Sequence, residues 1–174
     1  IPRKGHIFLL QAIRLLVRER GLSNNDFRVL IEGDGPQRKF LEDYVRQNDL
    51  SNWVCFVGKE REIFSFISDL DVLILPSIYD EDFPNVNLEA MTLGRAVISS
   101  HLAGTPEQIV HGETGLLVEP ANPWELALAI LHLIENPEKR ALMGEVGLMH
   151  FKDNFTSENA VTNYNKIYKK LLGI

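Results

Sequence analysis

With 174 residues, 45 % of them apolar and 24 % charged, the sequence has the size and composition of one folded domain with a single core, which excludes disorder, collagen-like repeats and low-complexity linkers. A net charge of −6 without a basic run excludes a nucleic-acid surface, because phosphate neutralisation needs clustered Lys and Arg. No apolar run reaches the ~20 residues that span a bilayer, no export pattern stands at the start of the sequence, and the cytosol is the expected compartment.

The sequence opens at Ile1 rather than Met and runs straight into Pro2-Arg3-Lys4-Gly5, which suggests a piece cut from something longer. Leu9, Ile13, Leu16 and Val17 form a helical stripe over residues 6–20, and Gly21 is a suitable stop. Residues 27–32 are β-prone and lead through Gly33-Asp34-Gly35-Pro36 into the helical spacing of Phe40, Leu41, Tyr44 and Val45. The alternation continues with a strand at 53–57, a helix at 60–69, a strand at 72–75, a helix at 86–93 and a strand at 96–99. A short helix near 106–111, a strand at 116–118 and helices near 123–135 and 138–150 follow. Strands alternating with helices at this pace predict a doubly wound α/β fold, a Rossmann-like parallel sheet covered on both faces. Ligands in such sheets sit at the carboxyl ends of the strands. Cys55 cannot form an internal disulfide, and Val54, Phe56 and Val57 beside it predict a small buried core residue.

Among the turns after strands, one is far denser in polar groups than the rest: Pro76-Ser77-Ile78-Tyr79-Asp80-Glu81-Asp82-Phe83-Pro84-Asn85, leading into Val86-Asn87-Leu88-Glu89-Ala90-Met91. The helix that starts there offers unpaired N–H groups and a positive dipole end, suited to a diphosphate, with Glu89 one turn in. Seven residues separate Glu81 from Glu89, a spacing that chance supplies about once in a chain of this composition. The setting carries more information. Pro-Ser after a strand, Phe-Pro-Asn-Val, Leu-Glu-Ala-Met and Leu93-Gly94-Arg95-Ala96-Val97-Ile98 together resemble the signature of retaining glycosyltransferases of family 4, which have the two-domain GT-B fold and use nucleotide-sugar donors.

Further positions resemble that family along nearly the whole sequence: Lys4-Gly5, Gly33-Asp34-Gly35-Pro36, Phe56-Val57-Gly58, Gly104-Thr105-Pro106-Glu107 and Gly112-Glu113-Thr114-Gly115-Leu116-Leu117-Val118. The resemblance implies the C-terminal, donor-binding half of a GT-B fold over residues 1–174. It implies that Glu89 hydrogen-bonds the ribose, that Glu81 contacts the donor sugar and that Lys4 binds the donor phosphates. The backbone around Phe83, Pro84, Asn85 and Val86 would hold the distal phosphate, and the turn at Gly33 and Gly35 would lie beside the donor. Carboxylates accept two hydrogen bonds from a vicinal diol, and an ammonium neutralises a departing diphosphate. No metal or other cofactor is expected: the family needs none, and the five histidines are scattered with no His-x-x-x-His pattern. The implied partners are a nucleotide-diphosphate sugar, a saccharide or lipid-linked acceptor, and an N-terminal domain. The full-length enzyme would be cytoplasmic or at a membrane surface, transferring with retention by attack on the face from which the diphosphate leaves.

Two positions depart from the family pattern. Asp82 stands where relatives carry Gly, and Pro84 lacks the N–H that a Gly there would offer. A second phosphate-binding cation and the first strand, central in the usual order of this fold, would fall before Ile1. The sequence is therefore expected to lack its first strand and to be inactive alone.

Blander readings stand beside several residues. Glu81 suits a solvated loop, Asp34 a turn, Glu107 either a helix start after Pro106 or a donor-sugar contact, and Lys59 and Arg61 either a charged surface or the flank of the base. A Glu89 set among Leu88, Ala90 and Met91 is expected to have a partner. Trp53 and Trp124 read as core or boundary aromatics. Thr156 or Ser157 caps a last helix, about 157–172, whose apolar stripe of Val161, Tyr164, Tyr168 and Leu171 packs either on this domain or on the N-terminal one. Two other classes remain: a GT-B enzyme that is not a transferase, such as a nucleotide-sugar epimerase, and a non-catalytic doubly wound binding module.

Overall fold

The computed structural model describes residues 2–59 and 62–173. A 3-10 turn, Pro2–Lys4, precedes helix α1, His6–Arg20, which ends where Gly21 takes a left-handed conformation and donates to the Leu16 carbonyl. Strand β1, Val29–Glu32, is followed by α2, Arg38–Gln47, then β2, Val54–Gly58, α3, Ile63–Ser68, and β3, Val72–Leu75. Next come α4, Asn85–Thr92, β4, Ala96–Ser100, α5, Thr105–Gln108, and β5, Leu116–Val118. The helices α6, Pro123–Glu135, α7, Pro137–Asn154, and α8, Ser157–Leu172, complete the chain.

All strand pairs are parallel, as short βα crossovers require. The strands form two sheets rather than one: β1 pairs with β2, and β3-β4-β5 form the other. β1 and β3 are not bonded to each other, in keeping with the expectation of a missing strand between them. In its place lies a slot of about 690 Å³, walled by residues 26–32 on one side and 69–76 on the other. Leu9, Ile130 and Leu133 line one face of it and Ile63, Phe66 and Val86 contribute from α3 and α4.

Two apolar layers hold the sheets. One joins α1 and α6 to the strands through Leu10, Ile13, Ile31, Ile98, Leu126 and Ile130, and the other packs α3 and α4 on Leu73, Val97 and Leu117. β4 is buried along its whole length, which marks it as the centre of its sheet.

Three expectations need correction. The helix expected over 60–69 begins at Ile63, with residues 60 and 61, and hence Arg61, outside the described residues. The helix expected near 106–111 ends at Gln108, because Ile109 is extended and residues 110–115 close a tight turn in which Val110 N–H donates to Thr114 Oγ1 and Gly112 N–H to the Gly115 carbonyl. Cys55 is exposed, not buried. It sits on β2, whose described neighbour is β1 alone, and strand alternation turns Val54 inward and Cys55 outward.

The cap at Thr156 is as expected, its hydroxyl accepting from the Asn159 N–H. α8 contains no buried residue, and Val161, Tyr164, Ile167, Tyr168, Leu171 and Leu172 are all exposed. The stripe therefore does not pack on this domain. Trp53 lies at the boundary and Trp124 is half exposed.

Candidate functional site

The loop between β3 and α4 is held from several directions. The chain start lies across it: Ile78 N–H donates to the Arg3 carbonyl at 2.8 Å and Arg3 Nη1 donates to the Asp80 carbonyl at 3.1 Å. Gly5, at φ +65°, allows this approach, since a Cβ there would stand 1.8 Å from the Pro76 carbonyl oxygen. On the far side, a Cβ on Gly104 would stand 1.9 Å from the Asp82 carbonyl oxygen.

This arrangement brings Lys4 and Glu81 together. Lys4 Nζ is bonded to Glu81 Oε1, and Ser77 Oγ donates to the same oxygen at 2.8 Å. Glu81 is buried to 7 % exposure, which removes the solvated-loop reading: its charge is held by an ammonium and a hydroxyl. Asp80 takes a left-handed φ of 56°, turning the loop so that Asp80 and Asp82 face solvent while Glu81 faces inward.

Pro84 caps α4 in extended conformation, with Asn85 and Val86 opening the helix. Among the described residues no side chain bonds its first N–H groups as a cap, which leaves the positive end of its dipole uncompensated. Phe83 is exposed at the rim and packs edge-on against Phe155, ring centroids 5.9 Å apart, where α7 gives way to α8. Glu89, one turn into α4, is half-buried, and among the described residues its carboxylate makes no hydrogen bond or ion pair; the expected partner is absent there.

The remaining candidates divide into two groups. Glu107 is exposed on α5, beside the Gly104 contact. Gly33, Gly35 and Lys59 lie at the carboxyl ends of the other sheet, where Gly33 N–H donates to the Gly58 carbonyl at 2.9 Å. Asp34 Oδ1 accepts from the Gly35 N–H at 2.7 Å, the behaviour of a turn former, and Lys59 is exposed. Nearby, the Arg38 guanidinium lies 6.0 Å from the Phe56 ring centroid and bonds Glu42. Lys4, Glu32, Pro76 and Val86 line the slot at its carboxyl end, which places the two groups around one opening. Burial holds the His6 imidazole below its ordinary 6.5, with positive charges including Lys4 adding to the effect.

Among the buried polar residues that sequence reasoning did not single out are Ser77, Asn87 and Gln108. Nothing in their spacing separates them from the exposed polar residues around them. Among the described residues, no group of three or more His, Cys, Asp or Glu side chains is placed to hold a metal ion.

Comparison with known proteins decides the family. Residues 1–148 match the family described as glycosyl transferases group 1. The chain belongs to that family. An uncharacterized glycosyltransferase of Methanocaldococcus jannaschii is 34 % identical over 173 residues, covering 98 % of this chain and 46 % of the relative. The structure of Anabaena HepE in complex with UDP-glucose superposes with a TM-score of 0.81 at 26 % identity, over 100 % of this chain and 46 % of that one. The C-terminal domain of a glycosyl transferase group 1 protein from Francisella tularensis superposes with a TM-score of 0.78 at 26 % identity, over 90 % of this chain and 82 % of that one. The fold is thus the C-terminal half of a GT-B glycosyltransferase, and the chain spans less than half the length of the first curated relatives it matches.

Proposed function

We propose that this chain is the donor-binding domain of a retaining glycosyltransferase that uses a nucleoside diphosphate sugar. The observation that carries the reading is the convergence, at the loop after β3 and the start of α4, of a buried Glu81 held by Lys4 and Ser77, an α4 terminus with no side-chain cap and a Glu89 without a partner among the described residues. UDP is the proposed nucleotide, because similar folds are solved with UDP and UDP-glucose.

In this reading the ribose diol donates to Glu89, and the diphosphate lies at the N–H groups of Asn85 and Val86 with Lys4 as its counter-ion. Glu81 accepts from hydroxyls of the sugar. Glu107 and the corner at Gly33, Gly35 and Lys59 complete the wall of the cleft. As the glycosidic bond to the diphosphate breaks, charge accumulates on the leaving phosphate, where the helix end and the ammonium stabilise it most. A saccharide or lipid-linked acceptor would be presented by a further domain, and the domain by itself would bind donor without transferring.

The test is kinetic, in a longer polypeptide that contains this domain and shows transfer. Glu89→Ala is expected to raise the donor KM with a smaller change in kcat, and Glu81→Ala to lower kcat, because its contacts lie nearest the breaking bond. Wild-type donor KM and kcat in both variants would overturn the reading.

A further inference from the structure

α4 and α5 meet through a pair of fully buried amides. Asn87 and Gln108 have no exposed surface, and Asn87 Nδ2 donates to Gln108 Oε1 at 3.1 Å and to Ser99 Oγ at 3.3 Å. Gln108 Nε2 in turn donates at 3.2 Å to the carbonyl oxygen of Pro84, the residue that caps α4. That same carbonyl accepts from the backbone N–H of Asn87, also at 3.2 Å. Ser99 belongs to β4, so the three side chains tie the mouth of α4 to the central strand and to α5.

The arrangement is costly as packing alone. Asn87 Oδ1 is buried without a partner, and an apolar pair of similar shape would fill the space with no orphaned acceptor. What amides provide and an apolar pair does not is direction: three hydrogen bonds fix the distance and angle between Pro84 and the β4 and α5 framework. Thr105 anchors that framework, its hydroxyl donating to the Ser100 carbonyl at 2.7 Å and accepting from the Leu102 N–H at 2.9 Å.

We propose that Asn87 and Gln108 are positioning residues for the donor diphosphate, a coupled amide clamp that sets the Pro84-Asn85-Val86 backbone at the mouth of α4. The proposal rests on the reading of that mouth as the phosphate site. Neither side chain reaches the ligand; both act through the Pro84 carbonyl. Gly104, packed against the Asp82 carbonyl, restrains the other end of the same loop. Breaking one amide leaves its former partner buried and unsatisfied, and the loop relaxes toward whatever satisfies it. Replacing both by an apolar pair removes the unsatisfied groups but leaves the Pro84 carbonyl without its tie to α5.

The experiment titrates UDP into wild type, Asn87→Leu, Gln108→Met and the double variant by calorimetry, at a temperature where circular dichroism shows each folded. Backbone amide spectra are recorded alongside. Each single variant is expected to raise the UDP Kd about tenfold and to shift the amides of Phe83, Asn85 and Val86 while leaving those of Leu30 and Ile31 in place. The double variant is expected to regain thermal stability but to stay about tenfold weak for UDP, because an apolar pair restores no bond to the Pro84 carbonyl. Wild-type Kd in either single variant, or in the double variant, would overturn the clamp. Glu89→Ala separates this from the underlying reading: if it weakens UDP while the single variants do not, the clamp alone fails, and if it leaves UDP binding unchanged, the nucleotide-site reading on which the clamp rests fails.

Discussion

Lys4 Nζ is bonded to Glu81 Oε1 across 77 residues of sequence, so the cation proposed for the donor phosphates is held, without donor, by the carboxylate proposed for the donor sugar. The pair neutralises a charge that burial would otherwise penalise, since Glu81 is 7 % exposed and Ser77 supplies its other bond. On the proposed reading, a diphosphate arriving at the mouth of α4 would compete with Glu81 for the ammonium. Donor binding would then loosen Lys4 and leave Glu81 free to accept hydroxyl hydrogen bonds.

Competition of this kind gives an unusual sign to one substitution. Glu81→Gln is expected to tighten UDP by about 3- to 10-fold, because it releases Lys4 and removes a negative charge near the phosphates. Lys4→Met is expected to weaken UDP about tenfold. Calorimetric Kd values check both, and a Glu81→Gln variant that binds UDP more weakly than wild type would show that Glu81 contacts the nucleotide itself.

The slot between β1 and β3 predicts a stability effect. Among the described residues neither strand pairs with another on the side that faces it, and apolar side chains line it, so a strand placed there would be buried on both faces. The 3-10 turn at Pro2–Lys4 lies at the carboxyl end of β3, at the exit such a strand would use before a right-handed crossover through α1. Five or so successive Val and Ile residues fused ahead of Ile1 are expected to raise Tm and protect the amides of both Leu30 and Leu73 from hydrogen exchange. A Ser and Asn fusion of equal length that performs as well would remove the slot's role.

Gly144 offers a packing test. It lies within α7, where Ala would ordinarily gain about 1 kcal/mol in helix propensity. Here a Cβ would stand 2.1 Å from the Gly94 carbonyl oxygen and 3.2 Å from the Ala96 nitrogen, forcing α7 away from the turn that enters β4. Gly144→Ala is therefore expected to destabilise by about 1–3 kcal/mol in urea unfolding.

His6 sets a pH dependence. Burial favours its neutral form, so as pH falls the unfolded chain takes up the proton first, near 6.5, and the folded chain only at lower pH. The contribution is complete above 6.5 and declines as pH drops below it. Thermal melts of wild type and His6→Gln from neutral pH to about pH 5 are expected to show a steeper fall for wild type; parallel curves would remove His6 from the account.

Much of the fold was legible because local signals agreed. The apolar run at Val72–Leu75 and the helix closed by Gly21 stand where pattern places them, and the strand and turn motifs around Glu81 and Glu89 carried the family. What escaped were features set by tertiary context. Cys55 looked buried because its neighbours are apolar, but β2 lacks a second described neighbour strand and turns it outward. Ser77, Asn87 and Gln108 looked like ordinary loop and helix polar residues, since burial of a hydroxyl or amide depends on partners far away in sequence. Gln108 also ends α5, where the turn at 110–115 outweighs the helical preference of the residues after Pro106.

The central claim, that the mouth of α4 and Glu89 bind a nucleoside diphosphate, is tested most directly by titrating UDP, GDP and ADP into the folded chain and into Glu89→Ala. The account predicts weak, saturable binding of UDP, unchanged by a metal chelator and at least about tenfold weaker in the variant. No binding of any of the three at about millimolar concentration, or equal affinity in wild type and Glu89→Ala, would contradict it.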